Sequence, residues 1–498
     1  MSSESSQKEG YKIHRLKDLI NRNLIRFDKS AQNNAEESDS LKPQPLTVRL
    51  ALYFSDLMSV INDFGVSGPK AYLDITGIND EIAFTTRRQG LVGAIEIQGQ
   101  YQMAQQEQFS DMIDTLERRW QTLMSHRGIA LDFVFMGGEK QLVRKQLNDA
   151  IAPNVATSRR FKLGLENVLE SKVDALVQHC AFEKAYLCVW VEPSVLSGAE
   201  RKTVDKAQKK ANGAAAFTAP HSIDLSIASR QIESIHLTTL QQIANDLEAV
   251  GVVSNIVTCR HLLRDIRLMT EPDNTSYTWE PSLPGAHRPT RKIHANSTDV
   301  SHLFPPSFDR QLFPNGVGEH IDNSRVISYG GKLHSGVIVT RPCLSPTNFQ
   351  ELFAGLKLSN IPYRIRILLN SDGLSSTSLA VKSTLANLFS WADSTGTSNR
   401  AINSSLQFLR EYRENDGAIV GLSIVADTWV TLTSSDDQFL KEHQEQLAIN
   451  VEKLTKVIQS WGGMDTKHIS GDPLYTSMST LPAVSRTTPG EIACAPLR

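Results

Sequence analysis

The chain has 498 residues, of which 52 are basic and 54 are acidic, so its net charge is only −2. Hydrophobic residues make up 40% of the sequence and charged residues 21%, a composition typical of a globular protein with two or three domains. The small net charge argues against direct, sequence-specific nucleic-acid binding, which usually depends on a basic field.

The N-terminus and the cysteines indicate a compartment. The first ten residues are polar, and no stretch of the sequence approaches the ~20 apolar residues that span a bilayer. The five cysteines are scattered, odd in number and without CxxC spacing, which predicts inert thiols in a reducing compartment. We therefore expect a cytoplasmic protein, or one that is peripheral on the cytoplasmic face of a membrane.

A basic amphipathic helix is predicted over residues 11–27, where apolar residues recur at helical spacing. The polar stretch that completes residues 1–45 then has the composition of a linker. Such a helix can dock on an anionic membrane or on a partner protein, or it can pack on its own domain with a solvated charged face. The residues predicted to dock are Arg15, Lys17, Arg22 and Arg26.

Residues 46–230 are predicted to form an N-terminal α/β subdomain. The predicted strands are 71–75, 81–86, 91–99, 129–136 and 185–191. The predicted helices are 46–64 and 109–124, together with polar, helix-prone sequence over 139–179. Residues 194–230, rich in small and basic residues, have the composition of an exposed insertion.

Residues 231–325 are predicted to hold a helical segment and a long proline-rich connection. Helices over 232–250 and 259–270 flank a short strand at 252–257. Residues 271–325 show little periodicity. A structureless connection as long as this one is either a functional loop or an interdomain crossing.

Residues 326–498 repeat the α/β style of the first half, as a second subdomain. The predicted strands are 326–329, 332–340, 363–369 and 417–432. The predicted helices are 349–356, 379–391, 401–413 and 439–461. The order hairpin, helix, strand, helix, strand, helix thus occurs twice. This predicts an α/β (α+β layered) fold of two related sheet-and-helix subdomains.

No P-loop occurs in the sequence. A P-loop needs a glycine-rich turn that cradles phosphates and a Lys-Ser/Thr pair that opens the next helix. The segment Val381–Thr384 has no glycine before its lysine, and Gly330–Lys332 is followed by leucine. We therefore expect no RecA-like nucleotide-binding domain, and no bound cofactor, within this chain.

Other polar clusters have ordinary explanations. A metal site is not predicted, because the residues that invite one lack the spacing of known zinc motifs. These residues are Glu319, His320 and His334. The acidic residues Asp74, Asp80 and Glu81 lie where a strand meets a turn, so a solvated turn is expected rather than a catalytic carboxylate pair.

Two arginines stand out in a predicted strand. Arg364 and Arg366 alternate with Ile365 and Ile367, so the two arginines share one face of the strand. That face either meets a partner, a neighbouring subunit or a phosphate, or it is an exposed face of the sheet. We expect no catalytic residues in the chain.

Three segments resemble a known family. The strand Gly90–Gly99 and the strand Phe182–Trp190 are similar to segments of the VirB/TraC/TrbE family of type IV secretion and conjugation ATPases. The closing segment, with Leu481-Pro482 and Arg486, is similar to the region that precedes the Walker A strand of that family. The type IVB branch, which contains the DotO/IcmB and IncI TraU proteins, fits best.

The resemblance implies a place in a secretion or conjugation machine. Proteins of this family have an N-terminal assembly domain of about this length and a C-terminal RecA-like ATPase domain that binds ATP and Mg. They form homo-oligomers, hexamers or dimers of hexamers, on the cytoplasmic face of the bacterial inner membrane. Their partners are inner-membrane secretion complex proteins and a second secretion ATPase.

The function implied is that of an assembly and docking domain of a type IV secretion ATPase, which energises substrate translocation or channel assembly. The nucleotide-binding residues of the family have no counterparts in this sequence, so we expect the ATPase domain to follow Arg498 in a longer protein. The alternative is a non-enzymatic oligomeric scaffold protein.

Overall fold

The computed structural model of the chain divides into two compact units, residues 1–66 and 67–498. The residues whose structure is described belong to the second unit. They are 68–101, 105–138, 140–180, 182–203, 206, 230–272, 275, 279–283, 306–318, 321, 325–342, 349–371, 418–432, 437–469, 471–490 and 493–497. The helices predicted at 11–27, 46–64, 379–391 and 401–413 lie outside them.

Twelve strands of the described residues join in one antiparallel sheet. They are β1 (Ile75–Ile78), β2 (Phe84–Thr86), β3 (Leu91–Gln100), β4 (Ile129–Gly137), β5 (Glu183–Val191), β6 (Val252–Val257), β7 (Ile327–Tyr329), β8 (Lys332–Arg341), β9 (Tyr363–Asn370), β10 (Ile419–Thr431), β11 (Asp465–His468) and β12 (Ala493–Pro496). The central order is β3-β5-β4-β9-β10-β8.

Helices lie on both faces of this sheet. They are α1 (Pro69–Tyr72), α2 (Gln106–Ser125), α3 (Lys140–Phe161), α4 (Glu166–His179), α5 (Arg230–Ala249), α6 (Cys259–Thr270), α7 (Phe308–Leu312), α8 (Phe349–Ser359), α9 (Asp437–Ser460) and α10 (Pro473–Ser479). The predicted α/β fold, with helices layered on a sheet, is confirmed.

Each half of the sheet is built in the same order. In the first half, the hairpin β2–β3 is followed by α2, β4, the pair α3–α4 and β5, and β5 lies between β3 and β4. In the second half, the hairpin β7–β8 is followed by α8, β9 and β10, and β10 lies between β8 and β9. Helix α5 and strand β6 then add to β3, as α9 and β11 add to β8. The two halves are therefore related, as the sequence pattern predicted.

Two buried tryptophans occupy corresponding places in the halves. Trp190 of β5 lies opposite Val92 of β3, and Trp429 of β10 lies opposite His334 of β8. Both indoles are buried in the same apolar core. No identity between the halves is visible in the sequence, so this correspondence becomes clear only from the pairing of the strands.

Strands β4 and β9 join the two halves. They pair antiparallel, from Ala130 opposite Asn370 to Gly137 opposite Tyr363. Because the ladder is continuous across this junction, the halves share one sheet. The predicted boundaries at residues 230 and 325 stay predictions, and strand β6, which lies between them, pairs with β3 of the first half.

The sheet has an apolar core on each face. On one face, α2 and α5 pack on the first half of the sheet and α8 and α9 on the second. On the other face, α6, α7, α10 and the residues 481–484 cover the sheet centre. Alternate residues of β9 consequently enter different cores, with Ile365 and Ile367 under α8 and α9.

The arginine face of β9 is not an exposed face, nor does it meet a partner or a phosphate. Arg364 and Arg366 are fully buried, because the segment around α10 covers them. The prediction for this face was therefore wrong. The reason is that the covering segment lies more than a hundred residues further along the chain, where strand periodicity gives no information.

Candidate functional site

Residues 472–487, which follow β11 and are here called the tail segment, cross the centre of the sheet and create the main polar centre of the described residues. Helix α10 begins at Pro473, and the carboxylate of Asp472 caps it by accepting the N–H of Tyr475 at 2.9 Å. Gly336 of β8 permits close packing, since a Cβ there would lie 2.2 Å from the side chain of Thr476. The fully buried hydroxyl residues of this segment are Thr476, Ser477, Ser479 and Thr480.

Arg364 is held by a set of acceptors on three elements. Its Nη2 donates to Asp427 Oδ2 on β10 at 2.7 Å and to Ser477 Oγ on α10 at 3.1 Å. Its Nε donates to Thr480 Oγ1 at 2.9 Å, and Nη2 also lies 3.2 Å from Tyr329 Oη on β7. Because a buried charge is tolerated only when it is paired and hydrogen-bonded, these contacts explain how a guanidinium can lie in the core.

Arg366 makes the corresponding contacts on the other side of β9. Its Nε donates to Asp132 Oδ1 on β4 at 2.7 Å, and its Nη1 donates to the carbonyl oxygens of Ser479 at 2.8 Å and Thr487 at 3.1 Å. Burial raises the pKa of Asp132, although the charge of Arg366 acts to lower it. The arginine thus ties the tail segment to both halves of the sheet.

His334 completes the polar centre. Its Nδ1 lies 3.0 Å from Asp427 Oδ2, and its ring stacks on Tyr329 with 4.0 Å between the ring centres. Burial lowers the pKa of His334, which favours a neutral imidazole whose Nδ1 proton is directed at the carboxylate. Among the described residues, its buried Nε2 has no hydrogen-bond partner.

Ser477, His334 and Asp427 have the composition of a catalytic triad but not its geometry. In a triad, one ring nitrogen of the histidine faces the serine and the other faces the aspartate. Here the same Nδ1 lies 3.0 Å from the aspartate and 3.5 Å from Ser477 Oγ, and the serine hydroxyl donates directly to Asp427 at 2.7 Å. All three side chains are buried. The contacts therefore hold α10 on the sheet and do not activate a nucleophile.

A second polar cluster lies beside a small cleft between α3 and α6. The cleft has a volume of about 50 Å³, far below the several hundred Å³ of typical small-molecule pockets. Lys184 and Asp265 lie in its wall. Lys184 pairs with Glu96 and Asp265, and Tyr186 Oη donates to Asp265 at 2.5 Å. Burial acts to lower the pKa of Lys184, but the two carboxylates outweigh it and raise that pKa. Burial, with the Asp265 charge, raises the pKa of Tyr186.

The residues predicted as docking sites lie outside the described residues. They are Arg15, Lys17, Arg22 and Arg26. Glu319 and His320 also lie outside them, and within the described ranges no group of His, Cys, Asp and Glu side chains is arranged to hold a metal ion. Among the same residues, no helix is both long enough and apolar enough to cross a bilayer.

The acidic residues at the first strand belong to local structure. Asp80 Oδ1 accepts the N–H of Ile82 at 2.9 Å, which closes a turn. Asp74 Oδ2 accepts the N–H of Arg486 at 2.6 Å, so this carboxylate anchors the tail segment. The glycine pair before Lys332 forms the tight turn of the hairpin β7–β8.

Sequence reasoning missed the two aspartates of the polar centre. Asp132 lies within an otherwise apolar strand, and Asp427 lies within a strand that is mostly apolar. A carboxylate in such a position requires a buried partner, and the two arginines of β9 are the matching cations. The signal in the sequence was therefore the presence of charged residues, two aspartates and two arginines, within mostly apolar strands.

Comparison of the sequence with models of known protein families finds no match, and comparison with curated proteins finds no similar protein. The resemblance to type IV secretion ATPases stays a prediction.

Proposed function

We propose that the chain is the N-terminal assembly and docking domain of a type IV secretion or conjugation ATPase. In this proposal it works as a homo-oligomer on the cytoplasmic face of the bacterial inner membrane, with inner-membrane complex proteins and a second ATPase as partners. The ATP and Mg that drive the machine would bind to a further domain.

The observation that carries the proposal is the position of the three segments that resemble the family. Strand β3 lies beside β5, and Leu481, Ala483 and Val484 belong to the same apolar core as buried side chains of both strands. Segments that are far apart in the sequence thus contribute to one core. This supports a common origin for the three similarities.

The tail segment is suited to transmit force. The two buried arginines bind it to β4, β9 and β10, and Asp74 binds it beside β1. Because paired charges in a buried setting resist separation, movement of a domain attached after this segment would be passed to the whole sheet. This is the property that an assembly domain of a motor protein needs.

The proposal is tested with purified residues 1–498 in lipid-free buffer. Sedimentation velocity over a concentration series should show self-association to a hexamer or a pair of hexamers, and calorimetric titration with Mg-ATP should show no binding. A chain that stays monomeric, or that binds ATP tightly with one nucleotide per chain, would contradict the proposal.

The coding sequence distinguishes this proposal from a scaffold protein. Under the proposal, the reading frame continues past Arg498 into a glycine-rich loop with a Lys-Ser/Thr pair. A stop codon at that point would favour the oligomeric scaffold instead.

A further inference from the structure

The pair α3–α4 forms a helical hairpin attached to the body at one end. Leu142 and Val143, at the start of α3, are buried in the core beside α6. Beyond them, most side chains of both helices are exposed, and the buried ones, such as Ser158 and Val173, lie along the seam between the helices. Since α3 has 22 residues, it is about 33 Å long, so the far end of the hairpin stands well away from its base.

The far end of the hairpin is an ordered turn, here called the tip and defined as residues 158–168. The N–H of Leu163 donates to the carbonyl of Ser158 at 2.9 Å, and Gly164 has a positive φ of 64°. Ser158 Oγ accepts the N–H of Leu165 at 3.0 Å and donates to Glu166 Oε1 at 2.9 Å. These bonds fix the backbone of the tip, so the turn itself needs little further ordering when it binds a target.

The tip exposes large apolar side chains that the fold does not cover. The exposed fractions are 64% for Phe161, 56% for Leu163, 46% for Leu165 and 63% for Val168. Single exposed apolar residues are ordinary, but four within eight positions of an ordered turn form a patch. Such patches mark interaction sites.

The tip is also basic. Residues 157–169 contain three basic side chains, Arg159, Arg160 and Lys162, but only one carboxylate, that of Glu166. Glu166 is engaged with Ser158, and hydrogen bonds to its carboxylate lower its pKa. The guanidinium of Arg160 lies 5.6 Å from the ring centre of Phe161, so charge and apolar surface are presented side by side.

We infer that this tip inserts into the surface of an anionic phospholipid bilayer. Phe161, Leu163 and Leu165 enter the boundary between headgroups and acyl chains, while the three basic side chains contact lipid phosphates. Apolar residues next to lysine and arginine are the arrangement by which proteins bind membrane surfaces without crossing them. The long stems of the basic residues let their charges stay at headgroup level.

Charge also argues against the tip of a second copy of this chain as the occupant. Contact between two tips would bring six basic side chains together, and like charges oppose such an interface. An anionic lipid surface complements the charge and accepts the apolar side chains at once. The inference does not depend on the proposed secretion function, because it rests on a different part of the chain.

The test measures binding of the full chain to sedimenting vesicles. The vesicles are phosphatidylcholine alone or a two-to-one mixture of phosphatidylcholine with phosphatidylglycerol. Because the predicted N-terminal helix is also basic, all four of its docking residues are replaced by glutamine in the background protein. We expect the background protein to bind the anionic vesicles and to bind them less well as salt rises.

Two tip variants separate the apolar and the electrostatic contributions. We expect the double variant Phe161→Ser/Leu163→Ser to bind anionic vesicles about tenfold or more weakly, because its buried apolar surface is lost. We expect Arg160→Glu/Lys162→Glu to lose about tenfold or more in binding and to lose the preference for anionic lipid. The matched control is Lys357→Glu/Leu358→Ser on α8, where Leu358 is 86% exposed, and it should bind as the background does.

Insertion is measured separately from adhesion. In Leu163→Trp, the added indole should shift its emission to the blue and be quenched by brominated lipid, relative to the background protein. Circular dichroism establishes that each variant is folded. The inference is overturned if the background protein shows no preference for anionic vesicles or if the tip variants bind as the control does. It is also overturned if the tip variants lose self-association in lipid-free buffer, since the tip is then a protein interface.

Discussion

The buried charges at the centre of the sheet form two ion pairs that extend from β9 to its two neighbouring strands. Arg364 and Arg366 lie on the same face of β9 and reach in opposite directions, the first to Asp427 on β10 and the second to Asp132 on β4. A slip of β9 by one residue would turn both arginines into the apolar core under α8 and α9. The pairs therefore specify the register of the strand that joins the halves.

Removing one residue of the buried Asp132–Arg366 pair should destabilise the protein far more than removing both. Asp132→Leu leaves a buried guanidinium without its carboxylate, and we expect it to lower the free energy of unfolding by about 3–5 kcal/mol. The double variant Asp132→Leu/Arg366→Met removes the charge as well, and it should recover at least half of that loss. Urea denaturation measures both.

The exposed pair of Glu452 and Lys456 on α9 provides the control for this experiment. Glu452→Leu should leave the unfolding midpoint unchanged, since exposed ion pairs contribute little. If Asp132→Leu were as mild as this control, the buried pair would have no role in holding the sheet.

A buried histidine makes stability depend on pH. Burial lowers the pKa of His236 on α5 to about 4, although Asp80 acts to raise it. The unfolded chain, with a histidine pKa near 6.5, therefore binds the proton first as pH falls. We expect the free energy of unfolding to decrease by about 3 kcal/mol from this residue as pH falls from about 6.5 to about 4.

Denaturation curves across this pH range measure the effect. Burial also lowers the pKa of His334, so this residue adds to the slope of the unfolding free energy against pH. His236→Gln should therefore reduce that slope without abolishing it. His179→Gln, at an exposed position on α4, is the matched control for the loss of a histidine side chain. An unchanged slope in His236→Gln would contradict this prediction, because it would mean that the folded and the unfolded protein bind this proton at the same pH.

At the scale of elements, the turn of the hairpin β7–β8 is fitted against the end of α6. Gly330 has a φ of 57°, and a Cβ there would lie 1.7 Å from the carbonyl oxygen of Thr270. Gly330 is therefore required for two reasons, the backbone conformation and the close approach of the two segments. This contact places the second hairpin against the helix that ends the first half.

Gly330→Ala should separate these two requirements when compared with Gly316→Ala. Gly316 has a φ of 73° with open space around its Cβ position, so its substitution should cost only about 1–2 kcal/mol, from the backbone conformation. Gly330→Ala should lower the thermal midpoint considerably more, because the backbone of α6 must also move. Equal shifts in calorimetry would mean that the hairpin does not press on α6.

Strand and helix patterns predicted most elements but not what covers them. The alternation along β9 gave its two faces correctly, because period-2 patterns depend only on the strand itself. The partners of its arginines could not be found in this way, since Asp132 lies 234 residues away from Arg366. Helix-prone sequence over 139–179 likewise concealed the tip, although Gly164 is a common signal for the end of a helix.

At the scale of the whole molecule, the architecture follows from two halves with the same order of elements and from the strand pairing that joins them. Each half supplies a three-strand unit in the order of hairpin strand, last strand and middle strand, and the two middle strands, β4 and β9, pair with each other. Duplication of the element order was visible in the sequence. The junction was not, because pairing between distant strands has no local signature.

The tail segment also sets the order in which the protein is completed during synthesis. Its contacts with Asp74 join residues 412 positions apart, and its contacts with Arg364 join residues 113 positions apart. A ribosome needs on the order of ten seconds to make the residues between Arg364 and Ser477. During that interval both arginines exist without the hydroxyl and carbonyl groups of the tail segment. The sheet centre therefore closes only after β1 to β11 have all been translated, and the growing chain has to be kept from aggregating until then.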